Sequence, residues 1–209
     1  ADVRATEPPA IARHRPTDLA NAATELRSLH RRGEPLVLVN VWDAASAARV
    51  ADAGARAVAT SSAAIAASLG VPDDPSAPVD DMFAAVRRIA AAVDLPVTAD
   101  VLDGYGLDPD DLVERLLAAG AVGCNLEDSD HARSAALVDP AKAARRVAGV
   151  RSAATRAGVD LVVNARIDSY LHQGPDATPD VIARARRYLD AGADCVYPVR
   201  LSDPGVARA

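Results

Sequence analysis

One pattern in this chain constrains the fold more than any other. A helix-like stretch ends in Ala-Gly, and a short apolar run follows at once. It occurs at Ala53-Gly54 before 57–62, Ala119-Gly120 before 122–127, Ala157-Gly158 before 161–168 and Ala191-Gly192 before 194–199. Glycine accepts the left-handed conformation that stops a helix, and the next strand then begins within a few residues. Helix starts repeat as well. Asp108-Pro109, Asp139-Pro140, Thr178-Pro179 and Asp203-Pro204 each put a capping oxygen before a proline, which suits the first helical position. The predicted strands are 36–41, 57–62, 97–101, 122–127, 161–167 and 195–199. They are short, rich in Val and separated by helical runs such as 112–119, 141–157 and 181–189, the signature of a parallel α/β sheet.

Two architectures fit, an open doubly wound sheet and a (β/α)8 TIM-type barrel. The open sheet calls for a glycine-rich turn after the first strand. That strand instead runs into Asn40-Val-Trp-Asp-Ala-Ala45, without glycine. The barrel calls for polar residues at the C-terminal strand ends. Here they are Asn40, Trp42 and Asp43; Thr60, Ser61 and Ser62; Asp100 and Asp103; Asn125, Glu127 and Asp128; Asn164, Arg166 and Asp168; Tyr197 and Arg200. Six strands are visible where a barrel has eight, so the barrel reads as incomplete at its C-terminus. The pattern divides into a Pro-rich, flexible lead-in over 1–16 and a single barrel domain over 17–209.

Composition narrows the function. With 3% aromatic residues, the core must come from Ala, Val, Leu and Ile. The net charge is −6 and no basic block appears, which argues against nucleic-acid binding; the arginines on helices read as solvated surface. No apolar stretch approaches the roughly 20 residues of a membrane span. Cys124 and Cys195 lie in apolar runs and read as reduced thiols, which suits the cytoplasm.

Alternate strand residues share a face, so Asn125 points with Glu127, and Asn164 with Arg166 and Asp168. Asp100 and Glu127 are candidates to hold Mg2+, largely through water. Arg166 is the candidate clamp for a substrate carboxylate, with Ser61 and Ser62 beside it. Metal and Arg together would stabilise an enolate. The competing reading is a set of strand-end groups that only cap helices and bridge loops.

Five ordered segments carry a family resemblance: 40–46 (NVWDAAS), 60–73 (TSSAAIAASLGVPD), 99–106 (ADVLDGYG), 125–131 (NLEDSDH) and 164–168 (NARID). From about Leu26 to the end, the chain resembles the isocitrate lyase / phosphoenolpyruvate mutase superfamily. The resemblance implies a (β/α)8 barrel, a homo-oligomer (dimer or tetramer), Mg2+ with Mn2+ as the alternative, and a small 2-oxo or 2-hydroxy carboxylate cleaved through a pyruvate enolate. The reaction would be a C–C lyase or decarboxylase step, with C–P chemistry on phosphonopyruvate or a non-catalytic binding role as alternatives. By motif position, Asp73, Asp100 and Glu127 are implied as metal-site acids, and Ser61, Ser62 and Arg166 as substrate contacts. Trp42, Asp43 and Asn125 belong to the substrate-binding set, with plain packing equally open for Trp42.

Two departures bear on the chemistry. The second metal-site acid is replaced by Leu102, with Asp103 one residue on as a substitute ligand. The loop after Glu127 lacks the Lys-x-Cys-Gly-His pattern of the isocitrate and methylisocitrate lyases, which disfavours both activities. His131 in that loop is either an acid/base or a solvent-exposed histidine, and 128–138 is long and polar enough for a lid.

Overall fold

The computed structural model describes residues 16–131, 136–203 and 205. The expected flexible lead-in lies outside them except for Pro16, which opens a helix. In chain order the elements are α1 (Pro16–Leu29), β1 (Val39–Val41), α2 (Ala44–Asp52), β2 (Val58–Thr60), α3 (Ser62–Leu69), α4 (Val79–Ala90), β3 (Val97–Asp100), α5 (Pro109–Ala118), β4 (Gly123–Glu127), β5 (Ser129–Asp130), β6 (Ala136–Leu137), α6 (Pro140–Arg156), β7 (Val162–Ile167), α7 (Ser169–Gln173), α8 (Thr178–Asp190) and β8 (Cys195–Pro198).

Six strands form one parallel sheet in the order β1-β2-β3-β4-β7-β8. The order never reverses along the sheet. A doubly wound sheet reverses at its switch point, so this winding is that of a barrel, and the sheet curls as a parallel half-barrel. The expected barrel class therefore holds. β5 and β6 pair antiparallel as a separate hairpin, inside the segment read as a lid; residues 132–135 of that segment lie outside the described residues.

The four Ala-Gly stops behave as expected, with left-handed φ of 89°, 83°, 72° and 101° at Gly54, Gly120, Gly158 and Gly192. The caps are less uniform. Asp139 accepts hydrogen bonds from the Ala141 and Lys142 N–H groups. Asp108 precedes α5 without a side-chain cap bond. Thr178 is already inside α8, because the turn at Pro175–Ala177 feeds directly into that helix. The helical start read at Asp203-Pro204 falls on Pro204, which lies outside the described residues. The first strand is shorter than expected: Leu36 and Leu38 pack instead near α1, since β2 offers partners only from Val58 onward.

The core is largely aliphatic, as the composition requires. Ile65, Ile89, Leu112, Leu116, Val150, Leu161 and Ile167 are fully buried between sheet and helices. Phe83 meets Tyr105 edge-on at 6.1 Å between ring centres. A second apolar cluster closes the N-terminal end of the sheet. There Leu19, Ala23, Leu26 and Leu29 of α1 pack on Ala57, Val122, Val159 and Val162. Gly123 permits this approach, because a Cβ on it would stand 2.8 Å from Leu26 Cδ2. An ion-pair cluster sits at the same end. Arg151 reaches Asp160 at 3.0 Å and Asp194 at 2.5 Å, and Arg27 bridges the same two carboxylates. Among the described residues no helix is long and apolar enough to cross a membrane.

Candidate active site

The strand register sorts the inward-facing residues into layers. Asp100 pairs with Asn125, Asn125 with Asn164, and Asn164 with Cys195. The Asn164 amide donates to Asn125 Oδ1 at 2.7 Å, and the Cys195 thiol donates to Asn164 Oδ1 at 3.3 Å. Both cysteines are free. One layer nearer the C-terminal end, Glu127 pairs with Arg166 and Arg166 with Tyr197.

The acids fall into two groups. In the first, Asp100 Oδ2 accepts the backbone N–H of Ser62 at 3.1 Å and its hydroxyl at 2.9 Å. Ser62 begins α3, so its N–H has no intrahelical acceptor and is free to bind an anion. Asp73 approaches the same hydroxyl at 3.5 Å. Burial raises the Asp73 pKa above the ordinary carboxylate value and the Asp100 charge adds to it, although the Ser62 hydroxyl pulls the other way.

In the second group, Arg166 is held from two sides. Its Nη1 lies 2.7 Å from Glu127 Oε2, and its Nε donates to Asp168 Oδ1 at 2.7 Å. His131 Nε2 is hydrogen-bonded to Glu127 Oε1. Burial pushes Glu127 up to about 7, against the pull of Arg166 and His131. Burial also works against the Arg166 charge, but Glu127 and Asp168 outweigh it and raise its pKa.

Several expectations need correction. His131 is not a solvent-exposed loop histidine; its side chain is 20% exposed and packs on Glu127. Asp43 has a structural task as well: its Oδ1 accepts the Ser46 N–H at 2.7 Å and forms a capping box at the start of α2. Ser61 likewise caps α3 through the Ala64 N–H. Asp103 does not replace the missing acid. It lines a cavity of about 240 Å3 between the sheet and α6, with Leu126, Ala165 and Arg146, where Glu127 also borders it. The turn through Leu102 and Gly104, at φ 50° and 89°, carries it there. Leu102 itself, at φ 50°, is buried in the apolar core while its carbonyl accepts the Glu127 N–H at 2.9 Å. Trp42 is 43% exposed and follows the Val41–Thr60 pair by one residue, beside Ser61.

Reading the residues also overlooked a buried network. Asp128, Arg184 and Tyr188 are 2%, 5% and 1% exposed, so Arg184 is not solvated surface. Asp180, Arg184 and Tyr188 recur every four residues on one face of α8, and that spacing was the available signal.

Among the described residues no three His, Cys, Asp or Glu side chains converge as a closed metal cage. The donor set still fits a hard cation that keeps part of its water shell. It consists of carboxylates alone, and Glu127 Oε2 is buried without a hydrogen-bond donor despite its ion pair. The neighbouring Asp73 and Asp100 carboxylates would also gain from a positive charge between them.

The comparisons agree with this geometry. The family profile for phosphoenolpyruvate phosphomutase matches residues 26–209. An uncharacterized protein of Mycobacterium tuberculosis is 36% identical over 177 residues, covering 84% of this chain and 65% of the relative. The 2-methylisocitrate lyase of Escherichia coli is 30% identical over 192 residues, covering 87% of this chain and 63% of the lyase. The chain thus spans a little under two thirds of the length of these curated relatives. A solved structure of a candidate phosphonomutase from Burkholderia cenocepacia superposes with a TM-score of 0.83 at 43% identity, covering 91% of this chain and 78% of that one. With its barrel winding, its acids and its arginine at the strand ends, this chain belongs to the phosphoenolpyruvate phosphomutase family, within the isocitrate lyase / phosphoenolpyruvate mutase superfamily.

Proposed function

We propose that the protein is a Mg2+-dependent lyase or decarboxylase that breaks a C–C bond of a small 2-oxo or 2-hydroxy carboxylate, leaving a pyruvate enolate. The observation that carries this reading is Arg166, a guanidinium fixed by Glu127 and Asp168 at the same strand ends as the Asp100–Ser62–Asp73 cluster. A planar fork so fixed suits a carboxylate. Asp73, Asp100 and Glu127 are the residues that would hold the ion, Mg2+ or in its place Mn2+. When bound, it supplies positive charge for a developing enolate oxygen. The Ser62 N–H and hydroxyl orient Asp100. Asn125, bonded to Asn164, forms the floor. His131, hydrogen-bonded through Nε2 to Glu127, would hold or release a proton there. Pyruvate release from a panel of 2-oxo and 2-hydroxy acids, with and without Mg2+, tests this. Metal-independent results, or no turnover across the panel, overturn it.

Phosphonopyruvate chemistry is the second reading, favoured by the 43% identity to a candidate phosphonomutase and by the absence of Cys from 127–138. Phosphorus NMR of a phosphonopyruvate incubation decides it, and an unchanged spectrum removes it. A non-catalytic binding role is motivated by Leu102, whose side chain lies in the core; calorimetry with Mg2+ and oxalate, an enolate mimic, separates it from catalysis-ready binding. We also infer a homo-oligomer, dimer or tetramer. Val37 and Val39 near one sheet edge and Tyr197 at the other are exposed apolar side chains that suit such contacts, and sedimentation measures the state.

A further inference from the structure

We propose that Asp128, Arg184 and Tyr188 form a positioning unit that sets the orientation of Arg166 by fixing Asp168. The inference rests on Arg166 being the carboxylate-binding group, and it assigns to α8 a task in the site that α8 does not itself touch.

The network runs as an unbroken chain of hydrogen bonds. Asp128 Oδ2 accepts the Tyr188 hydroxyl at 2.7 Å and Arg184 Nη1 at 3.0 Å. Asp128 Oδ1 accepts the backbone N–H of Asp168 at 2.9 Å. That bond fixes the point where β7 ends and α7 begins. The Asp168 carboxylate then takes Arg166 Nε at 2.7 Å, Arg166 Nη2 at 3.3 Å and the Ser129 hydroxyl at 2.7 Å. Arg184 is tied in turn: Nε donates to Asp180 at 2.8 Å, and Nη1 reaches the Val138 carbonyl at 2.9 Å. Asp180 also accepts the Ser169 hydroxyl at 2.7 Å. The unit thus joins β4, the β5–β6 hairpin, β7, α7 and α8.

Burying a charged pair is a poor way to gain stability, since well-packed apolar residues do as well or better. What a saturated polar network offers is a unique arrangement. Here every carboxylate oxygen of Asp128 has a partner, and the arrangement terminates on the Arg166 guanidinium, the one that faces the site among the described residues. Such a chain converts the rigid packing of α8 into a fixed direction for Arg166, at a distance of two residues from it.

The test uses Tyr188→Phe, which removes only the hydroxyl, and Arg184→Lys, which keeps the charge but cannot hold Asp180 and Asp128 together. Two readouts are taken on each folded variant. The first is the Arg166 Nε–H resonance, its chemical shift and its protection from exchange. The second is the affinity for oxalate with Mg2+. The expected result is a shifted, faster-exchanging Nε–H and oxalate binding weakened about tenfold. Arg151→Lys at the other end of the sheet serves as control, lowering the melting temperature with both readouts unchanged. An Nε–H signal that stays in place and protected in both α8 variants overturns the proposal, whatever the melting temperatures do. If the unaltered protein binds no oxalate, the functional reading fails, yet the Nε–H readout still decides the positioning claim.

Discussion

The two ends of the sheet carry clusters of the same side chains arranged to opposite effect. At the N-terminal end, two arginines face two aspartates, and the leftover donors are absorbed by carbonyls. Arg151 donates to the Gly192 and Leu161 carbonyls at 3.0 and 2.8 Å, and Asp194 accepts the Val163 N–H at 2.7 Å. At the C-terminal end, Asp73, Asp100, Glu127 and Asp168 outnumber Arg166 and His131. The first cluster is balanced in charge, two arginines against two aspartates. Among the described residues the second holds an excess of carboxylates, with Glu127 Oε2 buried and paired only with Arg166. Balance marks a strut, and imbalance marks the place where, on the proposed reading, a cation and an anionic ligand would bind. This is the polarity that parallel barrels show in general.

The largest effect that could sharpen this contrast is at the strut. Asp194→Ala removes one of the two carboxylates that Arg27 and Arg151 share and leaves the Val163 N–H without its acceptor, and we expect a loss of about 3 kcal/mol of stability in denaturant titrations. Oxalate affinity of the folded protein should not move; if it does, the two ends are coupled and the contrast breaks. Next comes Arg166→Lys. The lysine cannot reproduce a forked contact, and losing charge-assisted bonds of about 1.5 kcal/mol each should weaken Mg2+-dependent oxalate binding roughly hundredfold by calorimetry, with activity falling alongside.

Acidity separates the ends by a smaller amount. Glu127 is raised from 4.5 to about 7. Protonated, it favours the fold, so its contribution is fully present below pH 4.5 and is lost as pH rises through about 7. Glu127→Gln should therefore flatten the dependence of melting temperature on pH across that window, by an amount on the order of 1 kcal/mol. A slope unchanged by the substitution would mean that Arg166 and His131 cancel the burial. The smallest effect is at Asp73. Its raised pKa makes Asp73→Asn stabilising at neutral pH, by less than about 1 kcal/mol after solvent screening, while Mg2+ affinity drops. Gain in stability with loss of binding is the trade expected of a functional charge.

Much of this was legible in the sequence because it depends on local rules. Alternation put Asn125 with Glu127 and Asn164 with Arg166, and the register then sets Asn125 opposite Asn164 and Glu127 opposite Arg166. The Ala-Gly stops follow from one residue's freedom at positive φ. What escaped depends on distant partners. Arg184 looks like a surface arginine on an amphipathic helix until Asp128, 56 residues earlier, comes to meet it. Asp103 looks like a ligand until the turn through Leu102 and Gly104, at φ 50° and 89°, sends it behind the sheet. Ser62 reads as a strand end, but the chain has already entered α3, and its value lies in the N–H that a helix start leaves free. α1 was missed as a plug because nothing near Leu26 announces that Gly123 leaves room for it.

The register itself has a consequence for how such a protein can change over generations. Glu127 faces Arg166 only because β4 and β7 share a frame. Deleting one residue from either strand would swap a lumen of Asn, Glu and Arg for one of Cys, Leu and Ala. Heritable length changes are thereby confined to the loops, such as the β5–β6 hairpin, while the strand ends are open to exchange of one side chain at a time.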